Sequence, residues 1–76
     1  MIVSNFKYDL QQQIGVVGTS ADGVYTIEVN LISFQGKEPK IDIRRWNRET
    51  DRMCKGVSLS IHEAAKLKDV LDAYFQ

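Results

Sequence analysis

The chain predicts an α+β domain, with four strands in an antiparallel meander followed by one helix on one face of the sheet. Three observations predict it. Up to residue 59, apolar and polar side chains alternate in runs with the two-residue period of strands. Short turns carrying Gly, Asp, Ser and Pro separate these runs. They are too short for a crossover, so neighbouring strands pair antiparallel. From residue 60 the period lengthens to that of a helix, and strands followed by a helix read as α+β.

The elements follow in order. Phe6, Tyr8 and Leu10 alternate with Lys7 and Asp9 and read as a first strand, although Phe6, Leu10 and Ile14 also fit helical spacing. Gly15-Val16-Val17-Gly18 favours extended structure with a bend or bulge at a glycine. Ser20-Ala21-Asp22-Gly23 is a hairpin signal. The second strand runs from Val24 to Phe34. Tyr25, Ile27, Val29 and Leu31 face the core, and Thr26, Glu28 and Asn30 face outward. Ile32 and Phe34 have the opposite parity, which predicts a bulge or an aromatic on the outer face. After the turn Gln35–Pro39, the third strand, Lys40 to Trp46, sends Ile41 and Ile43 inward. Lys40, Asp42, Arg44 and Trp46 point outward. A charged loop, 47–52, leads to the fourth strand, Met53 to Leu59. There Lys55 interrupts an apolar face unless a twist or bulge at Gly56 reassigns it. Ser60-Ile61-His62-Glu63 is a capping box. Ile61, Ala64, Leu67, Leu71, Tyr74 and Phe75 form one helical stripe, with Val70 beside it. Tyr8 and Tyr25 share their strands' apolar parity and are expected in the core.

Seventy-six residues make a single domain, 1–76. A chain this short buries only about 60% of the surface that it exposes when unfolded. Dimerisation is one remedy for so small a core. Leu71, Tyr74 and Phe75, which end the helical stripe, are the expected dimer contacts. The single cysteine, Cys54, excludes an internal disulfide and a thiolate cluster. No apolar run approaches a membrane span, and no signal-peptide pattern is visible, so a cytoplasmic, nucleoid-associated protein without a membrane partner is expected. His62 stands alone and reads as a surface residue. There is no Ser-His-Asp set, glycine-rich phosphate loop or metal-ligand spacing. No cofactor or metal is expected, and the chain reads as non-enzymatic.

Ten basic and ten acidic side chains cancel, but unevenly. Residues 1–36 carry net −2, residues 37–55 net +3 and residues 56–76 net −1. The positive block coincides with the third strand. Steering depends on local potential as well as on the sum. Cations beside an exposed ring suit a single-stranded nucleic acid, since the cation meets phosphate and the ring meets a base at about 1–3 kcal/mol per stack. Trp46 is the expected platform. Phe34 fits either the core or a second platform. Arg44 pairs with Asp42 or Glu28, or else meets phosphate.

Pro39-Lys40-Ile41-Asp42-Ile43-Arg44-Arg45-Trp46, then Met53, then Lys55-Gly56-Val57-Ser58-Leu59 before a capped helix, resembles the positive-cofactor-four family. The resemblance is to its bacterial branch of single-stranded DNA-binding proteins. Phe6-Lys7-Tyr8, Ile14-Gly15 and Leu31-Ile32-Ser33-Phe34 with Gly36 also fit. The resemblance implies a curved four-stranded antiparallel sheet plus one C-terminal helix, as a homodimer. It also implies largely sequence-independent binding of single-stranded DNA, in replication, recombination, repair or transcription. Arg44, Trp46 and Lys55 carry over to its binding positions, and Lys7 and Phe34 to less distinctive ones. Lys37, Lys40 and Arg48 complete the expected basic surface. The 47–52 loop is shorter than the eukaryotic coactivator's, so loop contacts do not carry over. Stacking reads no 2′-hydroxyl, which leaves RNA open as a ligand. The alternative function is a protein-interaction module contacting transcription or replication proteins, with the exposed aromatics as hot spots.

Overall fold

The computed structural model describes residues 7–76. Four antiparallel strands, β1 (Tyr8–Thr19), β2 (Tyr25–Phe34), β3 (Lys40–Asn47) and β4 (Arg52–Leu59), lie in sequence order in one sheet, and helix α1 (Ile61–Tyr74) follows. The predicted class and element order stand. Phe6 of the first predicted strand lies outside the described residues.

The first strand forms as read, and it runs on without a break through the glycine segment, 12 residues in all. Its register against β2 slips three times, skipping Gln11, Ile14 and Val17. Each bulge adds a residue on one side only, which bends the strand and increases its twist. Three on the same strand curl the sheet strongly. Trp46 pairs with Thr26, and Tyr8 pairs with Phe34. Those β2 partners are eight residues apart, roughly 26 Å along a straight strand. The Tyr8 and Trp46 rings nevertheless meet edge-to-face with centroids 6.1 Å apart. The face that carries them is therefore concave.

Curvature inverts the expected burial. The predicted outer face, even-numbered along β2 and β3, is the better buried one. Glu28, Asn30, Ile32, Asp42 and Trp46 lie there, all nearly inaccessible. The predicted core residues Tyr25, Val29, Leu31, Ile41 and Ile43 are only half-buried, and Ile27 is exposed. They occupy the convex face, and α1 covers it only in part, touching β3 and β4. Tyr8, expected in the core, is 41% exposed because it opens the edge strand. The β2–β3 register is unbroken, so Ile32 and Phe34 owe their parity to the concave face and not to a bulge in β2.

The turns follow local chemistry. At 20–23 the Ser20 hydroxyl donates to Asp22 Oδ1, which also accepts the Val24 N–H. Gln35 and Gly36 both have positive φ, and the Lys37 N–H donates to the Phe34 carbonyl across them. That is the I′ geometry whose twist matches a hairpin. Asn47 Oδ1 accepts the N–H groups of Glu49 and Thr50 and closes the third turn.

The slip in β4 falls between the pairs Arg44–Gly56 and Trp46–Met53, so Cys54 and Lys55 together oppose Arg45. This bulge splits the face that Lys55 was expected to interrupt. Met53 falls opposite Trp46, while Val57 and Leu59 fall opposite Ile43 and Ile41, and Lys55 stays beside Ile27 and Ile43. Gly56 is required by close approach. A Cβ there would lie 2.0 Å from Arg44 Cβ and 2.6 Å from the Ile43 carbonyl oxygen.

The capping box on α1 forms as predicted. The Glu63 N–H donates to Ser60 Oγ, and the Ser60 N–H donates to Glu63 Oε1. Accepting that backbone N–H lowers the Glu63 pKa. The helical stripe is not a closed core face, because no residue of α1 is fully buried.

Candidate nucleic-acid interface

The β2–β3 hairpin builds the site. Its tight turn sets Phe34, at the end of β2, beside Lys37. β3 then adds Lys40 and Arg44 from its even-numbered face, and β4 contributes Ser58 opposite Asp42. Phe34, Lys37, Glu38, Lys40, Arg44 and Ser58 line one open cleft of about 330 Å³. The cleft joins four of the residues expected to bind nucleic acid. Lys37 and Lys40 are exposed and Phe34 is half-buried. On the other flank of the same hairpin, Lys7, Tyr8, Asp9, Ser33, Gln35 and Gly36 line a groove of about 290 Å³. The Gln35 N–H donates to the Lys7 carbonyl and ties the two flanks together.

Arg44 is held from three sides. Its Nε–H donates to Asp42 Oδ2, its Nη2–H to Asp42 Oδ1 at 2.7 Å and its Nη1–H to the Cys54 carbonyl at 3.1 Å. Ser58 Oγ donates to Asp42 Oδ1 at 2.7 Å. The Arg44 guanidinium carbon sits 5.9 Å from the Phe34 ring centroid, within cation–π range. Of the fates left open for Arg44, pairing with Asp42 is the observed one.

Trp46 is corrected. It is 2% exposed, and so it is no open stacking platform. Tyr8 meets its ring edge-on, and the Arg48 guanidinium covers it at 4.3 Å from the centroid. Arg48, read as a loop cation, forms a bidentate pair with Glu28 and also donates to Asp51 Oδ1 at 3.2 Å. That guanidinium, aided by the Thr26 hydroxyl, holds the Glu28 carboxyl at about 2 against the opposing effect of burial. The same contact raises the Arg48 pKa. An arginine bound to two carboxylates and stacked on an indole closes the concave interior, so it is not a mobile phosphate ligand.

Lys55 is also set apart from the cleft. It shares a depression of about 490 Å³ with Ile27, Ile43, Arg44, Arg45 and Cys54. Arg45 stacks on Tyr25, with its guanidinium carbon 5.6 Å from the ring centroid. Sequence reasoning missed Ser58 and the placement of Asp42. The only signal was that Asp42 sits two residues before Arg44, on the same strand face.

The convex face is apolar. Val17, Val29, Ile41 and Ile43 from the sheet and Ala64, Leu67 and Leu71 from α1 line a groove of about 540 Å³. Val17, looped out by a bulge, is 70% exposed. Tyr74 and Phe75, stacked edge-to-face at 4.9 Å, stand exposed at the end of the helix. Among the described residues, no helix is long and apolar enough to cross a membrane.

Residues 25–70 match the family model described as Transcriptional Coactivator p15 (PC4). An uncharacterized protein of Treponema pallidum (strain Nichols) is 33% identical over 73 residues, covering 96% of this chain and 85% of that protein. The match spans β2 through most of α1, and with it the whole cleft.

Proposed function

Since the chain belongs to the transcriptional coactivator p15 (PC4) family, a family of single-stranded DNA-binding and coactivator proteins, we propose that it binds single-stranded DNA with little sequence preference, as a homodimer and without catalysis. One observation carries the reading: an aromatic ring, two exposed lysines and a fixed guanidinium share one open cleft. Lys37 and Lys40 meet phosphates there, Lys7 extends the track round the hairpin, and Phe34 offers its ring to a base. Lys55 and Arg45 form a separate basic patch and are assigned a lesser part.

The dimer rests on the convex face. An apolar groove with Val17 and Leu71 exposed is surface that a chain this small needs to bury. A second copy supplies matching apolar surface. Leu71, Tyr74 and Phe75 are its proposed contacts.

Titration with single-stranded DNA, duplex DNA and RNA at two salt concentrations tests the function. Three lysines in each of two protomers give a slope of log affinity against log salt of roughly −4. Tight, salt-steep binding of any unpaired DNA sequence supports the proposal. A flat salt response together with retention of a transcription or replication protein overturns it in favour of an interaction module. Preference for RNA overturns the choice of nucleic acid.

A further inference from the structure

We propose that Asp42, steadied by Ser58, is the positioning residue of this site, and that Arg44 serves as a fixed stacking surface beside Phe34 while the phosphate charge is met by the lysines. The inference rests on the DNA-binding reading and assigns the division of labour within it. Arg44 would ordinarily be counted as a phosphate ligand. Its surroundings argue otherwise. Three of its five N–H groups are already engaged, two of them by a carboxylate that is fully buried. The Arg44 side chain is only 16% exposed, and the Cα of its strand partner Gly56 lies against it without a side chain. Swinging out to phosphate would strand Asp42 in the interior as an uncompensated charge, at a penalty larger than one exposed phosphate contact returns. Staying in place keeps all three contacts. A planar cation paired with Asp42 presents no net charge to release counterions, but it keeps a flat face next to an aromatic ring. Arginine planes and aromatic rings both stack on unpaired bases. Asp42 also accepts from Ser58 Oγ, so two strands fix the carboxylate and, through it, the guanidinium.

Salt dependence separates a stacking role from a phosphate role. Binding of a labelled thymidine oligomer is measured by anisotropy from low to high salt for wild type, Lys37→Gln, Lys40→Gln, Arg44→Lys and the double variant Asp42→Asn/Arg44→Gln. The double variant removes both charges and leaves no buried charge unpaired. The lysine variants should each flatten the slope by about 0.7 per neutralised phosphate. The double variant and Arg44→Lys should weaken binding about fivefold or more with the slope unchanged. A double variant whose slope flattens like a lysine variant's overturns the inference and makes Arg44 a phosphate ligand. Nuclear magnetic resonance of the wild type provides a second readout that needs no mutant to fold. The Arg44 Nε–H should stay protected and bonded to Asp42 on saturation with the oligomer, its resonance moved only by the ring current of the stacked base. Its transfer to a phosphate contact overturns the inference. If the wild type binds no single-stranded DNA at all, the functional proposal itself fails, and that outcome is distinct from either slope result.

Discussion

Trp46 shows how one side chain can answer to two readings. Its parity with Lys40, Asp42 and Arg44 is what a solvent-facing ring would have. It is instead the largest side chain sealed into the concave interior. Removing it leaves a large cavity, and comparable truncations cost about 3–5 kcal/mol. Trp46→Ala should therefore lose the cooperative thermal transition seen by circular dichroism. A variant that melts like wild type would put the indole outside the core. Glu28 makes a second prediction. Its carboxyl titrates at about 2 when folded, against an ordinary value of 4.5. A folded pKa below the unfolded one stabilises the native state fully above about 4.5, and the contribution is lost as pH falls from there through about 2. Urea midpoints should drop across that window in wild type and less steeply in Glu28→Gln. Equal slopes would show that the Arg48 pair adds nothing to folding.

At the level of elements, bulges do the shaping. Three in β1 curl the sheet, and one in β4 sets Met53 opposite Trp46 on the concave face while Val57 and Leu59 stay on the convex one. Alternation predicted strands well because it is local. It could not predict the bulges, since an extra residue is looped out by the strain of closing the curve rather than by any residue type. The hint in Gly15 and Gly18 was real, and both follow looped-out residues. Gly56 is the tightest of these constraints. Gly56→Ala would push a methyl group into Arg44 Cβ and the Ile43 carbonyl, neither of them the flexible end of a side chain. The expected cost is about 3 kcal/mol or more, read as a lowered midpoint in denaturant. An alanine variant of unchanged stability would mean that β3 and β4 can separate freely.

For the whole molecule, the half-covered convex face decides the stability. A sheet whose concave side holds ion pairs, one indole and Ile32 has little apolar interior of its own, and among the described strands α1 touches only β3 and β4. If a second copy completes the core, the thermal midpoint should rise with protein concentration. Leu71→Glu, which puts a charge in the apolar groove, should give monomers by sedimentation equilibrium and a lower midpoint. A midpoint independent of concentration, with wild type sedimenting as a monomer, would remove the dimer from the proposal.

The sequence by itself determined the strand order, the turns, the capping box and the basic segment around β3, because each depends on neighbours within a few residues. Phe34, Lys37 and Lys40 meet because one hairpin carries all three, although the sequence leaves Phe34 open between the core and the outer face. Only the tertiary structure decided which face of the sheet is inside. Alternation marks two faces but does not say which of them the sheet will curl around. Here the curl encloses the charged face, so Asp42 and Glu28 become buried partners of Arg44 and Arg48, and the apolar face is left outward.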